Sequence, residues 1–239
     1  MDAKEVIARR VARELRDRTL VNLGIGLPTM VARYVPAGMV VAFQSENGII
    51  GFGAQPPDGM EDPNLTDAGG GFISALPGAY AFDSATSFAL IRGGHLDMTV
   101  LGGLQVDGQG RLANWMVPGR MVAGMGGAMD LVTGARRVVV AMQHAAKGEA
   151  KIVPELTLPP TSARPVSLVV TELAVIEPGP DGLVLRERAP GVSVEEILAL
   201  TDLVDLAAAG EWDVLVVDCA PTAETLRLLS LPQVLGWWM

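Results

Sequence analysis

Chemistry in this chain has few places to happen. The apolar run at 40–43 ends abruptly in Gln44-Ser45-Glu46-Asn47-Gly48. Polar residues at a strand end lie where open α/β sheets put their sites. A glutamate carboxylate can act as a nucleophile without a base to activate it, although, taken alone, Glu46 reads as a solvated strand-end charge. A second candidate is Gly124-Met125-Gly126-Gly127, ahead of a short helical stretch. Its backbone N–H groups, with no Cβ in the way, suit an anionic oxygen. A steric need for glycine where chain segments cross explains the same residues equally well. Gly24-Ile25-Gly26 is a weaker phosphate-loop signal, because Thr29 stands where the third glycine belongs. A tight strand-to-helix turn accounts for it. His95 and His144 lack metal-ligand spacing, and Cys219 is the single cysteine, which excludes an internal disulfide and a cysteine-rich zinc site. No metal is expected.

These residues need a scaffold, and its elements alternate. Residues 3–17 carry Val6, Ile7, Val11 and Leu15 on one face, with Asp2 and Glu5 placed like a capping box, which predicts an amphipathic helix. The run 20–23 is a strand that meets Gly24-Ile25-Gly26, and Pro28 suits the first turn of a following helix. Residues 47–71, rich in Gly, Pro and Asp, read as a long ordered loop or lid. Helices are expected at 84–91, where Asp83 and Ser84 are placed to cap, at 128–133, and at 193–201 as a capped helix. Strands are expected at 40–43, 98–101 and 137–142, with 167–176 and 183–188 forming a pair around Pro178-Gly179-Pro180-Asp181-Gly182. His95 and Asp97 read as a satisfied polar turn. The alternation favours an α/β fold with a wound sheet over a sandwich.

Composition narrows the function. The 239 residues are 49% hydrophobic and 19% charged, which places most of the chain among folded proteins. The longest apolar stretches are strand-length, so no membrane span is expected. The charged N-terminus has no secretory signal, and the expected compartment is cytoplasmic. Eighteen Lys and Arg against 27 Asp and Glu give a net charge of −9, which disfavours nucleic acid as a partner.

Spacing alone leaves Glu46 undecided, but the run Gln44-Ser45-Glu46-Asn47-Gly48-Ile49-Ile50-Gly51 resembles the S-E-N-G signature of the 3-oxoacid CoA-transferases, specifically that of their B (beta) subunits. The likeness includes Asn22-Leu23-Gly24-Ile25-Gly26, Phe82-Asp83-Ser84-Ala85-Thr86, Arg92-Gly93-Gly94-His95, Leu112-Ala113-Asn114-Trp115-Met116-Val117-Pro118-Gly119, Gly124-Met125-Gly126-Gly127-Ala128 and Ala189-Pro190-Gly191-Val192, in order over about residues 3–204. The resemblance implies an open Rossmann-like wound sheet of the CoA-transferase type. It also implies ping-pong transfer of CoA from succinyl-CoA or acetyl-CoA to a 3-oxoacid such as acetoacetate or 3-oxoadipate, through a glutamyl-CoA thioester on Glu46. Coenzyme A is then a substrate, and no cofactor is implied. Asn22, Gly124, Gly126 and Gly127 correspond to oxyanion and CoA-binding positions. The implied partner is a separately encoded A subunit in a heterodimer or heterotetramer. The alternative is an inactive or regulatory CoA-binding relic unable to pair with one. Two departures are visible: Gly70 stands where relatives often carry a lysine, and Gly53-Ala54 replaces a common Gly-Pro.

The composition shifts after about Leu206. Trp212, Trp237, Trp238 and Cys219 crowd the end of the chain, and Glu211 to Pro232 resembles the switch region of the arsenite-pump and tail-anchor-targeting ATPases, with Asp218 at the magnesium-serving aspartate. No loop ending in Gly-Lys-Ser/Thr occurs in the sequence, so ATP hydrolysis is not expected. The expected organisation is a transferase domain over 1–206 and an atypical tail over 207–239.

Overall fold

The computed structural model of the chain describes residues 2–119, 126–180 and 182–201, so the tail 207–239 lies outside the described residues. Helix α1 (Ala3–Ala12) buries Ile7, Ala8, Val11 and Ala12 and is shorter than its periodicity predicts. Asp2 has the extended backbone of a cap, but its side chain makes no capping hydrogen bond. The expected reciprocal box does not form, because Glu5 is held instead by Arg9 one turn on, at 2.9 Å.

The strands are β1 (Thr19–Leu23), β2 (Val41–Ser45), β3 (Ile49–Phe52), β4 (Ala75–Ala81), β5 (Met98–Leu101), β6 (Gln105–Asp107), β7 (Leu112–Ala113), β8 (Arg137–Ala141), β9 (Ala145–Ala146), β10 (Glu149–Ala150), β11 (Ile152–Val153), β12 (Leu168–Val170), β13 (Ala174–Gly179) and β14 (Gly182–Arg188). The other helices are α2 (Ser84–Arg92), α3 (Ala128–Gly134) and α4 (Val194–Ala199). A 3-10 segment at Leu27–Tyr34 stands where a helix after Pro28 was expected. The main sheet of the described residues runs β14-β13-β12-β8-β5-β1-β2-β3-β4. Its centre, β12-β8-β5-β1-β2, is parallel, and antiparallel strands flank it at both edges. Because the parallel strands are covered on both faces, they are written as continuous apolar runs such as Val138-Val139-Val140. Winding reverses at β1, which has β2 on one side and β5 on the other, and the crevice of such a sheet opens where the C-terminal ends of these strands diverge.

Alternation sends β-strand side chains to two cores. One face packs Val21, Phe43, Val100, Val139 and Val170 against α1. The other packs Leu101, Val138, Val140 and Val169 against Ile91 of α2, Leu131 of α3 and Ile197 of α4. Each such fully buried Leu or Ile contributes about 1.5–3 kcal/mol. Arg10, only 4% exposed, forks onto both carboxylate oxygens of Glu187 at 2.7 and 2.6 Å and reaches Glu14 at 2.7 Å, joining α1 to β14.

Other parts of the expected layout change as well. The single strand at 167–176 divides, because the Thr171 hydroxyl accepts the N–H groups of Leu173 and Ala174 at 3.2 and 3.0 Å and turns the chain back. β12 and β13 then pair antiparallel, with Val169 opposite Ile176. Strand β4 was not foreseen: it contains Pro77 and Gly78 and is mostly exposed. The caps expected for α2 and α4 do form, unlike the box at α1. The Asp83 carboxylate accepts the Thr86 N–H at 2.7 Å, and the Ser193 hydroxyl accepts that of Glu196 at 3.1 Å. Among the described residues, no helix is long and apolar enough to cross a membrane.

Candidate active site

Three polar residues interrupt the apolar centre of the sheet in one row. Asn22 of β1 is in register with Gln44 of β2 on one side and with Thr99 of β5 on the other. All three are fully buried, as is Ser87 of α2 above them. Buried polar groups without partners cost several kcal/mol, roughly 2–7 by transfer measurements, and here each finds one. The Thr99 hydroxyl donates to Asn22 Oδ1 at 3.1 Å, Asn22 Nδ2 donates to Gln44 Oε1 at 2.8 Å, and Gln44 Nε2 donates to Ser87 Oγ at 2.9 Å.

Glu46 lies just beyond the end of this row. It occupies the turn between β2 and β3, closed by the Gly48 N–H donating to the Ser45 carbonyl at 3.0 Å. Gly48 has φ +120°, and a Cβ there would lie 2.0 Å from the Phe82 carbonyl oxygen, so only glycine makes this turn. The partly exposed Glu46 accepts from Asn22 Nδ2 through Oε2 at 3.2 Å. Gly127, the residue before α3, lies directly beside it: a Cβ on Gly127 would be 3.3 Å from Glu46 Cγ. The sheet crossover and the α2–α3 layer thus bring Asn22, Glu46 and Gly127 together although they are far apart in sequence.

A cleft of about 410 Å³ opens over Glu46, lined by Gly24, Ile25, Leu104, Trp115, Gly126 and Gly127 among others. Its floor at Gly102-Gly103 is tied from behind. Asn114 Nδ2 donates to the Gly102 carbonyl at 3.2 Å, and Lys151 Nζ donates to that of Gly103. Burial pulls the Lys151 ammonium below the usual lysine range, with Glu172 opposing. The Trp115 indole N–H donates to the Pro160 carbonyl at 3.3 Å, holding the ring as a fixed wall. The loop expected over 47–71 is interrupted by β3 (Ile49–Phe52), which pairs with β2, and the loop proper, 53–74, packs over one side: Asn47 Nδ2 donates to the Thr66 carbonyl at 2.7 Å, and Ser45 Oγ accepts the Ala68 N–H at 2.9 Å. At Gly70 the backbone has φ +80°, a conformation that a lysine would strain.

Of the residues singled out from the sequence, Glu46, Gly126 and Gly127 line this cleft and the buried Asn22 touches Glu46 from beneath it, while Gly124 lies outside the described residues. Gly24 serves close packing, since a Cβ there would be 3.1 Å from the Val100 carbonyl oxygen. Asp97 is a satisfied turn residue, accepting the Leu20 N–H at 2.9 Å. Reading by motif missed Gln44 and Thr99 as partners of Asn22, and Ser87 as the partner of Gln44. The available signal was a polar side chain inside each of two short apolar strands.

Comparison with known proteins gives one family over most of the chain, a second over its end, and one fold. The model of the family described as Coenzyme A transferase matches residues 4–200, and a model described as Anion-transporting ATPase matches residues 181–239. The beta subunit of the acetate CoA-transferase of Escherichia coli (strain K12) is 57% identical over 203 residues, covering 84% of this chain and 93% of that protein. The B subunit of the succinyl-CoA:3-ketoacid coenzyme A transferase of Helicobacter pylori (strain ATCC 700392 / 26695) is 48% identical over 200 residues, covering 83% and 96%. The fold superimposes on the acyl-CoA transferase YdiF of Escherichia coli O157:H7 with a TM-score of 0.66 at 24% identity, covering 84% of this chain and 41% of that longer one.

Proposed function

The chain belongs to the Coenzyme A transferase family, and from that premise we propose that it is the B subunit that supplies the nucleophile, Glu46, for moving CoA from an acyl-CoA to a free carboxylate. The observation that carries this reading is Glu46 on a cleft walled by Gly127, with the buried Asn22 donating to it from beneath at 3.2 Å. One Glu46 oxygen attacks the thioester carbonyl, the C–S bond breaks, and CoA leaves as a thiolate from a mixed anhydride. The thiolate then attacks the glutamyl carbonyl and expels the first carboxylate, leaving a glutamyl-CoA thioester. An incoming carboxylate reverses both steps. No proton need move, and water must be kept out, because it would hydrolyse either intermediate. Asn22 donates to Oε2, the oxygen that remains on the glutamyl carbon throughout and gathers charge at each attack on it, which is where a fixed donor lowers a barrier most.

The substrates under this reading are succinyl-CoA or acetyl-CoA as donor and a 3-oxoacid, acetoacetate or 3-oxoadipate, as acceptor. The Helicobacter protein's name supports the 3-oxoacid class, and the Escherichia coli protein's name supports a short carboxylate. A separately encoded A subunit completes the enclosure. Support comes from the apolar surface left open around the cleft and the edge strand beside it, with Ile25 65%, Leu76 50% and Tyr80 69% exposed, a pattern that marks interaction surfaces.

The test is Glu46→Gln in the co-expressed pair. Exchange is abolished, and borohydride added after acyl-CoA inactivates the parent enzyme, by reducing the thioester, but finds nothing to reduce in the variant. Exchange at the parent rate by Glu46→Gln would remove the mechanism.

A further inference from the structure

The row beneath Glu46 also determines which way Asn22 points. Asn22 Nδ2 has two hydrogens and three acceptors within reach: Gln44 Oε1 at 2.8 Å, the Gln44 carbonyl at 3.2 Å and Glu46 Oε2 at 3.2 Å. The shortest bond engages one hydrogen, and the other is left for Glu46 and the Gln44 carbonyl. Were the amide turned over, Asn22 Oδ1 would face those same oxygens, and acceptors would meet acceptors. What holds the productive orientation from the other side is Thr99, whose hydroxyl donates to Asn22 Oδ1. Gln44 is held in turn by Ser87, since its Nε2 is committed to the Ser87 hydroxyl and its Oε1 therefore faces Asn22.

We propose that Thr99, Gln44 and Ser87 act as positioning residues for the transfer reaction: a buried donor chain from β5 to α2 locks the Asn22 amide so that its N–H is presented to Glu46. This rests on the reading of Glu46 as the nucleophile. The chain is placed for such a role. Its members come from three adjacent strands in register and from α2, which packs on α3, and α3 follows Gly127. None of them borders the cleft, so none contacts substrate. Valine would fill the Thr99 site with the same shape and no hydroxyl, leaving Asn22 Oδ1 buried without its donor and the amide less firmly held against Glu46.

The experiment is steady-state exchange kinetics on this chain paired with its A subunit, comparing Thr99→Val, Thr99→Ser, Ser87→Ala and Glu46→Gln. Losing one locking hydrogen bond lowers kcat of Thr99→Val about tenfold while the acyl-CoA KM stays within about two-fold. Thr99→Ser, which restores the hydroxyl, returns kcat to within about two-fold of the parent, and Ser87→Ala shows a smaller fall, about threefold, with the same split between kcat and KM. The relay is overturned if Thr99→Val turns over at the parent rate, if its effect falls on KM, or if Thr99→Ser is as slow as Thr99→Val. Should Thr99→Val not assemble, Ser87→Ala decides: parent kcat there overturns the relay. Parent-level exchange by Glu46→Gln would instead remove the reading beneath it, whereas a dead Glu46→Gln beside a fully active Thr99→Val removes the relay alone.

Discussion

Adding one methyl group at Gly127 separates turnover from stability. Gly127 has φ −82° and ψ −1°, a conformation open to any residue, so Gly127→Ala introduces no backbone strain. Its new Cβ would lie 3.3 Å from both Glu46 Cγ and Phe88 Cζ, tighter than ordinary contact, and one neighbour must yield by a few tenths of an ångström. Phe88 is packed against the core on one side and carries the Arg92 guanidinium 5.5 Å from its ring centroid. Glu46, at the tip of a turn, gives way more easily. Its bond from Asn22 is already 3.2 Å long, and that much movement takes it out of hydrogen-bond range. A hydrogen bond to a charged group is worth about 1.5–3 kcal/mol, so kcat falls roughly ten- to a hundredfold. Folding is hardly touched, because the alanine restricts the unfolded chain by about 0.4–1 kcal/mol and offsets the crowding. Exchange assays with the assembled enzyme, run beside thermal unfolding of the same preparations, make the comparison. Parent-level turnover, or an activity loss that only follows a loss of folded protein, would refute the argument.

Two more expectations concern stability. Gly48→Ala forces a Cβ to 2.0 Å from the Phe82 carbonyl at φ +120°. It should destabilise the chain by about 2–4 kcal/mol in denaturant titrations, and an unchanged midpoint would show that the β2–β3 turn is not as tight as described. His144 is fully buried, and burial lowers its pKa from 6.5 to about 4, with the Ile197 backbone partly opposing. The unfolded chain therefore takes up a proton that the folded chain refuses, so this contribution is intact above pH 6.5 and is lost as pH falls toward 4. The slope is about 1.4 kcal/mol per pH unit in that window, measured by chemical unfolding between pH 7 and pH 4.5 and flattened in His144→Leu. Equal slopes in parent and variant would exclude His144 as the source.

The parallel strands were legible because burial on both faces writes them as apolar runs, as in 98–101 and 137–141, and helix α2 because Asp83 caps it. Strand β4 was not, since it is exposed on both faces and its Pro77-Gly78 reads as a turn. Nor was the break at Thr171, where one hydroxyl bonding two N–H groups reverses an apolar run whose pattern looks continuous. At the site, Glu46 and Asn22 came from motif likeness, and spacing alone would have left Glu46 as a surface charge. Gln44 and Thr99 were hidden for another reason: their meaning depends on cross-strand register, which no single segment of sequence records.

That same register makes turnover a gauge of correct folding. Side chains alternate along a strand, so a slip of one residue between β1 and β2 would carry the Asn22 amide to the α1 side of the sheet while most of the apolar burial survived. There the amide would be buried among apolar side chains and cut off from Thr99 and Gln44, so the polar row works against the slipped register. Under the proposed mechanism, the fraction that accepts a covalent CoA from acyl-CoA counts the correctly aligned molecules.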